Sequence, residues 1–158
     1  MDEKTMLLTF LDAQRAAAVA ILDGLDDETL TRAVLPSKWT PLGMVEHLGY
    51  AERHWFQEVV TGSAPPLDWL ADHAPLTTLR PRETVFAFYR DQCERANAII
   101  AATSLDAPLV GSHTDPPIDV GDDLRWVMLH MIEETARHAG HLDVVRELLD
   151  GTTGLAPR

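Results

Sequence analysis

Only one of the 158 residues is cysteine, Cys93. That excludes an internal disulfide framework and any cysteine-rich zinc site. Cations are scarce too: 13 Lys and Arg stand against 25 Asp and Glu, for a formal net charge of -12. Such a surface repels nucleic-acid phosphates and anionic membranes, so neither is an expected partner. No run approaches the ~20 apolar residues that span a bilayer. The start, MDEKTMLLTFLDAQ, lacks the basic leader and unbroken apolar segment of a secretory signal. These absences point to a cytoplasmic chain. What is present suits one soluble domain over residues 1–158, long enough to bury a core without covalent staples.

Strand-like alternation is also scarce, and apolar residues recur at helical spacing in four long segments. The first runs from about Lys4 to Leu22, with Leu7, Phe10, Leu11, Ala18, Ile21 and Leu22 on its stripe, and stops at Asp23-Gly24. LDDETLTRA reads as a short turn capped by Asp26. The second segment has a marked start: Thr40 suits the N-cap and Pro41 the first helical position. Trp39 and Met44 stand at the spacing of a hydrophobic staple, and the helix should end near Thr61-Gly62. The third begins near Pro81, with Val85, Phe86, Tyr89, Cys93, Ala96, Ile99 and Ile100 on its buried face. The fourth runs from Asp122 or Asp123 to Asp150, where Gly151 fits the stop. Two long connectors, residues 62–81 and 104–123, separate the helices, and both could cover one end of a bundle. The expected fold is all-α, a four-helix bundle, an architecture that builds ligand and metal sites from side chains on facing helices.

The fourth helix carries EETARHAGHLD, residues 133–143, beside its apolar stripe. Residues four apart on a helix differ by only about 40°. His130, Glu134 and His138 therefore share one strip, with His141 near it. Glu134 and His138 can converge on one ion, but a third ligand must come from a facing helix. The second helix offers His47 and His54, seven residues apart and on one face. His47, Glu134 and His138 would make a His₂Glu set with an open coordination position, as in catalytic zinc sites. The same donors accept nickel, iron or manganese. Spacing alone reads equally well as a one-turn Glu134/His138 ion pair worth about 0.2–0.5 kcal/mol, with His47 a hydrogen-bonded rim histidine. His54, beside Trp55, reads as a surface or loop-packing residue. His73 and His113 sit in the connectors and read as solvated, with access to a pocket. H-E-x-x-H is missing, which argues against a zinc protease. Paired E-x-x-H motifs are missing, which argues against a di-iron carboxylate site.

Two motifs carry a resemblance. WTPLGMVEHL, residues 39–48, places a His eight residues after a Trp and just inside a Thr-Pro start; EETARHAGHLD follows in the last helix. Together they resemble the DinB-like (DinB/YfiT-like) metal-binding superfamily, which includes mycothiol-dependent maleylpyruvate isomerases, and most of all a mini-circle-like branch with the HAGHLD form. The resemblance spans nearly the whole chain. It implies an up-down-down-up bundle and a metal triad of His47, Glu134 and His138. The isomerase branch is similar in using glutamate where many members have histidine. His141 falls where many relatives carry Gln, at a pocket wall and not as a ligand.

The expected activity is that of a transferase whose divalent metal, zinc first, holds an external low-molecular-weight thiol as thiolate. Cys93 lies on an apolar stripe and reads as a small buried hydrophobe, so the thiol must be a cosubstrate. His141 and His130, with Glu46 or Asp143, would tune or shuttle protons as the catalytic set. Arg137 and Arg146 read as solvated charges, or as contacts for an anionic cosubstrate. The partner is a small molecule, and a homodimer through the first or third helix is compatible with their apolar faces. Two other classes fit the same residues: a non-catalytic metal- or ligand-binding stress-response protein, and a metal-free interaction bundle.

Overall fold

The computed structural model describes residues 1–67, 76–114 and 118–154. It contains α1 (Glu3–Ala20), the single turn α2 (Asp27–Leu30), α3 (Pro41–Glu52) continued by a π-helical stretch (Arg53–Val60), α4 (Arg82–Ala102) and α5 (Leu124–Asp150). The described residues hold no strand, only an isolated bridge between Pro108 and Asp123. Caps fall where the sequence puts them. Asp26 accepts from the Thr29 amide, Thr40 from Gly43 and Asp123 from Trp126. Each such cap contributes about 1 kcal/mol. Gly151 ends α5 with φ of 78°, the left-handed geometry that favours glycine.

The π winding at Arg53 departs from the regular helix expected to Thr61. Two features accompany it. Arg53 pairs with Glu58, five residues on and within the same stretch. The second connector then caps its end: Gly111 N–H donates to the Val59 carbonyl at 2.9 Å and Val110 N–H to Val60 at 3.3 Å. The second of these cannot be read locally from RHWFQEVV.

Contacts along the helices fix their directions. Glu3 at the start of α1 bonds Arg125 at the start of α5, and Arg146 near the end of α5 bonds the Ile21 carbonyl just past α1. These two helices run parallel. Lys4 reaches the carbonyl of Ala101, so α4 runs against α1. Gly49 lies on Phe88 and Gln57 bonds Gln92, so α3 runs with α4. The order is up-down-down-up, as the resemblance implies. The second connector closes the end where α4 stops and α5 starts, and the first leaves from that same end, with Gly62 against Val110. Leu76, after the undescribed part of the first connector, lies at the opposite end beside Thr40 and Gly43.

The core is layered. Leu42, Val45, Leu48, Val85, Leu142 and their neighbours form one apolar cluster. Leu11, Phe56, Ile100, Met128, Met131 and theirs form the other. At the intervening level each helix contributes a buried polar residue: Arg15, Glu52, Gln92 and Thr135. Arg15 grips Glu52 through both carboxylate oxygens, at 2.7 and 2.6 Å, and also bonds Asp12 and Asn97. Burial opposes the Arg15 charge, yet Glu52 beside it holds the guanidinium above its ordinary range. This layer sets the level at which α3 and α5 present their outer polar side chains.

Candidate metal centre and its surroundings

Thr40 and Pro41 launch α3 so that Leu42, Val45 and Leu48 enter the core, and His47 then emerges at the rim facing α5. On α5, Met131, Thr135 and Ala139 are buried, so Glu134 and His138 flank that stripe toward α3. The three side chains meet. His47 Nε2 lies 3.4 Å and His138 Nε2 2.9 Å from the same atom, Glu134 Oε1. One ligand atom from each residue lies within 4.8 Å of the others, a spacing that could hold a cation. The rings of His47 and His138 stand edge to face, 5.0 Å apart. His138 is 13% exposed, Glu134 22% and His47 32%, so the group opens to solvent on one side. Hydrogen bonds from His138 and then His47 hold the Glu134 carboxyl far below the usual carboxylate range. Two imidazoles and a carboxylate whose ionised form is favoured make a donor set that fits a divalent ion.

Other residues singled out in the sequence fall around this group in distinct ways. His141 Nδ1 lies 3.4 Å from His138 Nδ1, behind the nitrogen that faces Glu134. His130 stands one turn before Glu134, stacked on Trp126 (5.1 Å, 5°) and against Trp55 at 4.4 Å. Glu46 is taken up by Arg80 at 2.6 Å. Arg146 is not a solvated charge: it donates to the carbonyls of Ile21 and Asp23 and pairs with Asp150, tying the end of α1 to α5. His73 lies outside the described residues.

His54 and His113 form a second constellation that the spacing argument missed. Seven residues after His47 means two turns, or about 10.5 Å along the axis. His54 shares the face but cannot share the ion. Its Nδ1 lies 2.7 Å from Glu58 Oε2 and its Nε2 lies 2.9 Å from His113 Nδ1. His113 is not solvated: it stacks on Trp55 at 4.8 Å. The signal for half of this was in the sequence, since H-x-x-x-E at 54–58 repeats the one-turn pairing of Glu134 and His138. Nothing local could supply His113, 59 residues on.

The family profile of the mycothiol-S-transferases matches residues 6–151. The chain belongs to that family. No match to a curated protein was found. The DinB-like resemblance and the all-α bundle are thereby borne out. For a mycothiol-S-transferase the state of the chain's own thiol matters. Cys93 lies toward the inside of α4, where burial and then the nearby Glu52 charge push its thiol up to about 12. It is protonated at neutral pH and a poor nucleophile. No described helix is long and apolar enough to cross a membrane.

Proposed function

We propose that this protein joins the intact small thiol mycothiol, through its sulfur, to an electrophilic carbon, displacing that carbon's leaving group, with a divalent cation held by His47, Glu134 and His138. The observation that carries this reading is the convergence of those three donors, from two helices, in a chain of this family. A cation there supplies Lewis acidity that favours ionisation of a thiol in the open coordination position. The protein's residues do the rest. Glu134 stays ionised and balances much of the ion's charge. His141 faces the outward nitrogen of His138 and orients that ring, the supporting contact that ligating imidazoles usually have. His130, fixed between two indoles, stands one turn before Glu134 and is placed to handle protons. Cys93 takes no part, because its half-buried thiol stays protonated. Zinc suits the donor set, and nickel, iron and manganese are compatible with it.

The test is conjugation of mycothiol to a chromogenic aryl chloride by protein of measured metal content. Saturable turnover that disappears with a chelator and returns with one equivalent of metal is the expected result. Metal-loaded protein that binds no thiol and conjugates nothing would reject the reading in favour of a binding module.

A further inference from the structure

The four helices are not evenly spaced. α1 packs closely on α5, α3 on α4, and α3 with its π continuation on α5, whereas α1 and α4 stand farther apart. Long side chains bridge this looser edge: Lys4 reaches the Ala101 carbonyl and Arg15 reaches Asn97. Beside Arg15, toward the end of α1, a pocket of about 440 Å³ opens, within the roughly 300–1,000 Å³ of small-molecule sites. The triad lies between α3 and α5, so this pocket between α1 and α4 occupies the opposite edge of the bundle.

The pocket walls are apolar: Val19 of α1 and Phe86 of α4, both partly buried against the core, line it together. One polar group is out of place among them. Tyr89 also lines the pocket and is 3% exposed, and its hydroxyl has no hydrogen-bond partner among the described residues. The Cys93 thiol lies beside that hydroxyl on the same wall and is at most a weak partner. Burial holds the phenol above its usual range, and burial with the Glu52 charge pushes the thiol up to about 12. Both therefore stay protonated at neutral pH, and the phenol is a donor in want of an acceptor. A buried donor left unpaired is a defect that native structures rarely keep without a reason, and an acceptor atom brought in by a ligand removes it.

Charge selects against ions. Arg15, at the buried end of the pocket, is already neutralised by Glu52 and Asp12. At the exposed end Asp23 and Arg90 oppose each other in sign. An ionic ligand would lose hydration there and meet no net counter-charge. We propose that the pocket between α1 and α4 is a second ligand site, for a small neutral molecule with an aryl or aliphatic body and one carbonyl oxygen that accepts the Tyr89 O–H. The body replaces water against Val19 and Phe86, and the oxygen fixes its orientation, the usual division of labour in such sites. No bond to Cys93 is formed. The site does not depend on the thiol-transfer reading, since it uses neither the cation nor the triad.

The test uses prodan, a neutral naphthyl ketone whose fluorescence brightens and shifts to the blue away from water, titrated into the full chain. Saturable binding at one equivalent is expected. Ala16→Trp, which places an indole in the pocket from an exposed position of α1, should abolish it. Ala20→Trp, from the next exposed position lining the pocket, serves where the first variant folds poorly by circular dichroism. Tyr89→Phe should bind about 2–10-fold more weakly, the usual worth of one hydrogen bond, and its urea midpoint should not fall, because the hydroxyl it removes has no partner in the free protein. His138→Ala and chelator-treated wild type should bind prodan as wild type does. No saturable binding, binding that survives both tryptophan variants, or a Tyr89→Phe protein that binds as tightly as wild type overturns the site. A lowered urea midpoint for Tyr89→Phe overturns it as well, since the hydroxyl would then be satisfied within the protein. Binding lost in His138→Ala places the probe at the triad and overturns the assignment to the edge between α1 and α4.

Discussion

Two His–Glu pairs at one-turn spacing, Glu134–His138 on α5 and His54–Glu58 on α3, are nearly the same object in sequence and different objects in space. At the first, His47 and His138 both aim at one oxygen of Glu134, so three donors surround a point. At the second, Glu58 and His113 occupy opposite nitrogens of His54, so the three groups form a line. A convergent set can share a cation. A linear set has no nitrogen of the middle ring left for a metal. The residue types do not decide which arrangement results; the third partner's direction of approach does.

The sharpest way to break this comparison is to remove one imidazole from each set. His138→Ala should lose stoichiometric metal, with affinity falling by more than about 100-fold, since ligands matter at least as much as the supporting partners worth 10–100-fold. His54→Ala should retain one equivalent. Elemental analysis of both proteins, purified without a tag, reads the result directly. Metal retained by His138→Ala would reject the ligand assignment, and metal lost from His54→Ala would reject the separation of the two sets.

A third carboxylate on α3 marks the limit of the contrast. Glu52 stands between the levels of His47 and His54 but is fully buried, with both oxygens gripped by Arg15. It is closed to a metal ion. Arg15→Ala leaves its charge buried without a partner and should cost about 3–5 kcal/mol, whereas Arg15→Met combined with Glu52→Leu should be close to neutral. Denaturant titration measures both. Metal content per folded molecule should not change in either, because neither residue touches the triad.

Most of the scaffold was legible. Thr40-Pro41, Asp123 and Gly151 mark helix ends through local hydrogen-bonding rules, and the apolar stripes mark most of the buried faces, although Phe10 is exposed; α1, α3 together with its π continuation, α4 and α5 fall within about two residues of expectation. The triad was half legible. Glu134 and His138 sit on one helix, where spacing is geometry, but the choice of His47 over His54 as third donor depended on the register of α3 against α5. The Glu58–His54–His113 line was least legible. The π winding has no composition signal, and His113 reaches His54 only because the second connector is clamped to the end of α3 through Gly111. Arg146 misled for a similar reason: an arginine on a helix surface reads as solvated until the chain end it caps is known.

The smallest effect separates the two sets by pH in metal-free protein. Hydrogen bonds from His138 and His47 hold the folded Glu134 carboxyl below its ordinary value of 4.5. Its stabilisation is complete above that value and is lost as pH falls through the folded one. Glu134→Gln should therefore cost about 1 kcal/mol at neutral pH, the low end for a charged hydrogen bond because the side chain is partly exposed, and the deficit should shrink below pH 4.5. His54 behaves oppositely in sign. Burial lowers it from 6.5, so the unfolded chain takes up a proton first as pH falls through 6.5, and the folded state loses stability from there down to the folded value. His54→Gln removes that titration, so its stability relative to wild type should improve as pH drops below 6.5. Because His54 is about one-third exposed, solvent screening keeps this change small. Urea titrations of the chelated proteins between about pH 4 and 8 resolve both windows by the same linkage. Two variants whose curves run parallel to wild type throughout would mean that neither group feels the environment that distinguishes the convergent set from the linear one.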